Sequence, residues 1–252
     1  MENLPVENSE IIVSDYDLWE SNKTKLKGGE FILKESLSDE IFTPEDFSEE
    51  QLMMKDTIID FMDREIWPDK MKYEEKNYDL TVQAMKKIGE LGLLGVSLEE
   101  KYGGMGMDFI STMLAVDYVS GVSGSVATAY GAHTGIAILP IYLFGNEDQK
   151  QKYLPKLTSG EWFGSYCLTE PTAGSDANYG KTKAELSDDG KHYKINGQKM
   201  WISNAGFADL FIVFARIEDD KNINLYLIFK HFNYDLLIEN ISLHIYKNEC
   251  KL

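Results

Sequence analysis

Positive charge is scarce in this chain. Its 25 Lys and Arg stand against 42 Asp and Glu, a formal net charge of −17. Nucleic-acid binding needs a basic surface, so that class is excluded, and attraction to an anionic membrane surface goes with it. Cysteine is scarcer still. Cys167 and Cys250 are the only two, and they form neither a disulfide framework nor a zinc-ligand spacing, so a reducing compartment fits. The four histidines are dispersed. His133 has no second His, Cys or carboxylate at ligand spacing, so no metal is expected and a satisfied core histidine is. The N-terminal Met1-Glu-Asn-Leu-Pro5 lacks the apolar run of a secretory signal and the arginines of a transit peptide, which points to a cytoplasmic protein. The longest uncharged stretch, Ser125 to Phe144, contains His133, Pro140 and several small polar residues. It reads as a buried core helix and not as a membrane span. No G-x-G-x-x-G follows a strand, so a nicotinamide-dinucleotide fold has no support.

What is present falls into two halves. Residues 1–40 are polar and acidic, with Lys23, Lys25 and Lys27 clustered before Gly28-Gly29, and read as an extension with little core. From 41 to 160 the pattern is helical. Ser48-Glu-Glu-Gln51 has the spacing of a capping box, and Leu52, Ile59, Met62 and Ile66 recur at helical spacing until Pro68. A second helix opens near Asp79, turns Ala84, Ile88 and Leu91 to one side, and stops at Gly92. Asp108 caps a third that runs to Val119, and Gly121–Gly124 breaks it. Asn146 starts a short polar helix expected to end before Pro155. From 161 to 230 the pattern changes to strands: Trp162–Thr169, Lys183–Leu186, Tyr193–Asn196, Lys199–Ser203 and Leu210–Arg216, with turn signals between them. Helices followed by clustered strands predict an α+β fold with segregated layers.

The chemistry sits in two stretches of the strand region. Tyr166-Cys-Leu-Thr-Glu-Pro-Thr-Ala-Gly-Ser-Asp-Ala177 is an apolar strand that enters a polar turn. Gly197-Gln-Lys-Met-Trp-Ile-Ser-Asn-Ala-Gly206 carries an indole among small polar residues. Thr169 offers a hydroxyl at the strand end, either to a heteroaromatic ring or to its own turn. Gly174 and Ser175 form a turn whose amides and hydroxyl suit an anionic or carbonyl oxygen, or simply make an ordinary turn. Strand alternation would put Trp201 and Ser203 on one face as a plate with a polar rim; the plain alternative is a core tryptophan. Lys199 on that same face reads as a solvated charge. Cys167 has no histidine beside it in sequence and reads as a small packed side chain. The carboxylates read as solvated charge on helix faces.

Both stretches closely resemble the flavin-binding motifs of the acyl-CoA dehydrogenase family. So do Leu91–Gly104, Phe144–Pro155 and Gly206–Phe214. The resemblance runs continuously over roughly residues 41 to 223. Gly28-Gly-Glu-Phe31 with Phe42–Phe47 looks like bacterial members of the very-long-chain branch. The resemblance implies an all-helical N-terminal domain, a β-barrel-like middle domain and a C-terminal helical bundle. It implies FAD held by Tyr166, Cys167, Leu168, Thr169, Gly174 and Ser175 and by Trp201, Ile202 and Ser203. Ser175 would also touch the pantetheine arm of a fatty acyl-CoA. The implied reaction is α,β-desaturation, as in fatty acid β-oxidation, with an electron-transferring flavoprotein reoxidising the cofactor and the intact enzyme forming a homo-oligomer. The family's catalytic carboxylate rides on the C-terminal bundle, so no catalytic residue is expected in this chain. Residues 231–252 no longer follow the family pattern, whose loss begins near Asn224. Two histidines and Cys250 fall in that tail, and it reads as a frameshift with an early stop. Two other readings remain open: a non-catalytic flavin-binding remnant, and a structural helical module with an appended β domain and no cofactor.

Overall fold

The computed structural model describes residues 25–26, 28–37, 40–188, 192–217, 223–229 and 243–246. In the tail, Cys250 lies outside the described residues. So do Lys23 and Lys27.

Caps set the helical layer. A short exposed α1 (Glu30–Leu33) buries nothing. Ser48 and Gln51 then form the predicted capping box at the start of α2 (Glu49–Phe61). The face that α2 buries differs from the expected one. Met54, Ile58 and Phe61 lie in the core, while Leu52 and Ile59 are partly exposed. A π-helical turn over Met62–Ile66 follows, and Met62 and Ile66, four residues apart on one face, both reach the core as expected. Pro68 does not end the run. It enters a 3-10 turn at Trp67–Asp69, where its missing N–H has no helical partner to lose, and α3 (Lys70–Glu74) follows.

Asn77 caps α4 (Tyr78–Glu90), and Gly92 at φ 78 stops it in the left-handed region as expected. Asp108 caps α5 (Phe109–Ser120), and Ser123 caps α6 (Gly124–His133). α6 continues through a π turn into α7 (Leu139–Phe144). This continuous stretch is long and apolar enough to cross a membrane by length and composition. Its inner face is core: His133, Ala137, Ile138 and Ile141 are fully buried. The last helix, α8 (Glu147–Thr158), runs through Pro155 instead of stopping before it. The lost backbone bond is outweighed by burial of Tyr153, Leu154 and Leu157, and the Thr158 hydroxyl fastens the final turn to the carbonyls of Tyr102 and Leu154 at 3.1 and 3.0 Å.

The second half is one mixed sheet of six strands: β1 (Gly164–Cys167), β2 (Lys183–Leu186), β3 (His192–Asn196), β4 (Leu210–Ile217), β5 (Ile223–Phe229) and β6 (Leu243–Tyr246). Among the described residues it does not close into a barrel, which corrects the barrel-like expectation. β4 is the hub. β1 and β2 lie parallel to it along one edge, at opposite ends, and β5 lies antiparallel along the other edge. β2 and β3 make the expected hairpin, and β6 pairs with β3. β5 begins where the family pattern was expected to fade. Its register with β4, from Leu210 opposite Phe229 to Arg216 opposite Ile223, is unbroken.

The run Leu-Phe-Ile-Val-Phe-Ala in β4 is apolar on both sides because both sides are covered. Leu210, Ile212 and Phe214 meet α7 and α8 through Ile141, Leu154 and Leu157. Phe211, Val213 and Ala215 meet Ala184, Ile195 and Cys167 on the far side.

Candidate functional site

Three contacts weld the helical layer to the start of β1. The His133 Nε2–H donates to the Leu157 carbonyl at 2.9 Å, and Nδ1 accepts from the Gly164 N–H at 3.1 Å. Burial lowers the ring to about 4, so it is neutral at physiological pH, as expected of a satisfied core histidine. The contact demands a glycine at 164: a Cβ there would lie 2.4 Å from the Ala137 Cβ. The third contact is the Asn204 amide, which donates to the carbonyls of Ala129 and Gly164 at 2.9 and 3.3 Å.

The two sequence motifs meet immediately beyond this weld. Residues 199–203 run beside residues 165–169. The Ser165 hydroxyl donates to the Ser203 carbonyl at 2.8 Å, and the Met200 N–H donates to the Thr169 carbonyl at 3.0 Å. The expected strand over 199–203 is not formed. Trp201 has φ 60 and Asn204 has φ 65, both in the left-handed region, and the chain turns over 203–207. Strand alternation therefore does not govern this segment. Trp201 is not a core tryptophan either, because it is 84 % exposed. Few non-glycine residues adopt positive φ, and a bulky one that does carries a conformational cost.

Lys199 overturns its expected role. It is 3 % exposed and is the cation of a buried ion pair, with Nζ 2.7 Å from Glu170 Oε1 and 2.9 Å from the Leu168 carbonyl. The Glu170 carboxylate, 5 % exposed, also accepts from the amides of Lys181 and Thr182. Burial pushes this carboxyl up, but the Lys199 ammonium and the two amides outweigh it and hold it below the ordinary range. Burial pulls the Lys199 ammonium down, against the upward pull of Glu170. Sequence reasoning missed this pair. A strand reading assigned Lys199 to the Trp201 face, and only the turn signal Asn204-Ala-Gly206 argued against it.

The other named residues divide by where their side chains go. Cys167 packs into the far-side core with Ala184 and Val213, and burial pushes its thiol up to about 12. It is the inert packed residue expected, so at most its backbone faces a ligand. The Tyr166 ring stacks edge-on against Phe214 at 4.9 Å, toward the helical layer. Ile202 packs on the far-side core. Leu168 and Thr169 are half-buried. A turn closed by reciprocal Glu170–Ala173 backbone bonds of 3.0 and 3.1 Å leads to Gly174 and Ser175, both exposed. No side-chain hydrogen-bond partner occurs among the described residues for Thr169, Ser175, Trp201 or Ser203, so their polar atoms remain available to a ligand. One other concavity, an open cleft of about 390 Å³, is lined wholly by the helical layer, including Phe42, Gln51, Met105 and Asp108. Among the described residues no cluster of metal-ligating side chains forms.

Comparison with known proteins agrees with this geometry. The N-terminal domain model of acyl-CoA dehydrogenases matches residues 48–161, and the middle domain model matches 165–232. The second match carries the family pattern past Asn224 and through β5. A probable acyl-CoA dehydrogenase of Bacillus subtilis (strain 168) is 44 % identical over 206 residues, 82 % of this chain and 34 % of that protein. The mitochondrial isovaleryl-CoA dehydrogenase of Bos taurus is 40 % identical over 172 residues, 68 % of this chain and 40 % of that one. Among solved structures, an acyl-CoA dehydrogenase from Bacillus anthracis complexed with FAD superimposes with a TM-score of 0.78 at 40 % identity, covering 89 % of this chain and 42 % of that one. The chain spans about a third to a half of the length of the curated relatives it matches. With both family models matched over most of its length and relatives at 40 and 44 % identity, the chain belongs to the acyl-CoA dehydrogenase family.

Proposed function

We propose that this chain provides the flavin- and thioester-facing wall of an FAD-dependent acyl-CoA dehydrogenase, which desaturates fatty acyl-CoA between Cα and Cβ. The observation that carries the reading is the side-by-side run of residues 165–169 and 199–203, which sets an exposed, strained Trp201 next to Thr169. An indole held in a costly conformation and left facing solvent is poorly explained by packing. It is well explained as a plate for a flat ring.

In this reading the Thr169 hydroxyl donates to the ring edge, where a fixed dipole stabilises added negative charge without reorganising. Trp201 and Ser203 flank the ring. Gly174 and Ser175 offer exposed amides and a hydroxyl, and Ser175 also steadies the pantetheine arm. Bound FAD would supply the hydride acceptor. Tyr166, Cys167, Leu168 and Ile202 contribute main chain or shape, since their side chains pack inward. The same reading brings in an electron-transferring flavoprotein as the oxidant and a homo-oligomer as the working assembly.

Glu170 does not act as the α-proton base. It is buried under the turn, saturated by Lys199 and two amides, and held below the range a base needs. We therefore expect Glu170 to take no part in abstraction of the α proton. The test is a fluorescence titration with FAD, followed by anaerobic mixing with acyl-CoA thioesters of varied length. Saturable quenching of flavin fluorescence that Trp201→Ala abolishes supports the reading. Unchanged FAD binding in that variant overturns the assignment of the wall. Bleaching of the flavin with enoyl-CoA formed in proportion, if Glu170→Gln abolishes it, overturns the exclusion of Glu170 as the base.

A further inference from the structure

We propose that Lys199 and Glu170 are the positioning pair of this site: their buried ion pair locks the Trp201 segment to the Thr169 strand end and so sets the geometry in which a flavin is held. The inference rests on the flavin reading for its ligand, but the locking itself is read from this chain alone.

The geometry is specific. Lys199 lies two residues before Trp201, and Leu168 and Glu170 flank Thr169. One ammonium therefore bonds both neighbours of Thr169, at 2.9 Å to the Leu168 carbonyl and 2.7 Å to the Glu170 carboxylate. The Met200 N–H adds a bond to the Thr169 carbonyl itself at 3.0 Å. On its other side the Glu170 carboxylate gathers the amides of Lys181 and Thr182, the residues that lead into β2. The pair thus ties three chain segments at one buried point. The Lys199 segment itself is loop and turn, with no strand ladder to fix its register.

A buried ion pair is a weak source of net stability, because desolvation offsets most of the attraction. Its attested use is to specify one arrangement over others. An apolar residue at 199 could fill the space, but it could not choose between the Leu168 carbonyl and its neighbours. The ammonium does, because any other register leaves a buried charge unpaired.

Two variants separate positioning from stability. Lys199→Met leaves Glu170 charged and unpaired, so it lowers both stability and flavin affinity. In K199M/E170Q both charges are gone, and the Gln oxygen still accepts from the Lys181 and Thr182 amides. Its thermal stability should return most of the way to that of the parent. Its FAD affinity should stay down by about tenfold, because the bond to the Leu168 carbonyl is not restored. The second readout needs no flavin. With Trp19, Trp67 and Trp162 replaced by Phe, 5-fluorotryptophan at position 201 gives a single sharp ¹⁹F resonance in the parent. It broadens or splits in K199M/E170Q. Recovery of FAD affinity together with stability overturns the proposal, and so does an unchanged ¹⁹F resonance. If the parent protein binds no FAD while the resonance still responds, the flavin reading fails and the locking stands.

Discussion

Two of the buried polar nodes among the described residues solve opposite problems. His133 joins the helical layer to β1 as a neutral group. One nitrogen donates and one accepts, and nothing is left over. Lys199 and Glu170 join three loop segments as opposite charges. Where two regular elements pack, shape complementarity already fixes the arrangement, and a neutral hydrogen-bonded group is enough. Where the partners are loops, apolar packing leaves the register open, and the charge supplies the selection. The cost is a node that tolerates little change.

The comparison predicts unequal sensitivity. Lys199→Met should be the most damaging change, lowering unfolding free energy by about 3–5 kcal/mol because it strands a buried carboxylate. Urea unfolding at neutral pH measures it, and a loss below about 1 kcal/mol would mean that Glu170 finds water or another partner. His133 should show itself through acid. Its folded-state value of about 4 lies below the ordinary 6.5, so the unfolded chain binds a proton that the folded chain refuses. Its stability contribution is therefore complete above pH 6.5 and drains away as pH falls toward 4, by about 3 kcal/mol over that window. Parallel urea titrations of the parent and His133→Gln should show this slope in the parent and lose it in the variant. Gly164→Ala tests the same weld sterically. The added methyl meets Ala137 between two regular elements, for an expected loss of about 1–3 kcal/mol. The smallest stability effect belongs to Trp201→Ala, within about 0.5 kcal/mol, because the ring is exposed and the Cβ that makes positive φ costly is present in both side chains. That variant should nevertheless lose most FAD affinity.

Legibility in the sequence followed the same divide. Capping signals are local, so Ser48, Asp108, Asn146 and Gly92 could be read directly as helix boundaries. The apolar run at Leu210 marked a strand, and its burial on both faces emerged only with the fold. Thr169 and Trp201 stood out through motif chemistry. The buried face of α2 did not, because Leu52 and Ile59 are as apolar as Met54 and Ile58, so periodicity alone could not choose between the two stripes. The extent of α8 was hidden by Pro155, whose local cost is overcome by tertiary burial of Leu157 and Thr158. Lys199 was misread because its partner lies far back along the chain. Nothing in Lys-Met-Trp-Ile distinguishes a solvated ammonium from a buried one until the fold brings Glu170 beside it.

β4 has a further consequence for how the molecule comes apart. One strand supplies apolar side chains to two of the three core clusters and backbone partners to three other strands. The α7–α8 side of the helical layer and the sheet cannot separate without stripping it. That part of the helical layer and the sheet should therefore behave as one cooperative unit in native-state hydrogen exchange. The amides of Leu210 to Arg216 should exchange only through global opening, while the 170–180 turn exchanges far faster through local fluctuation.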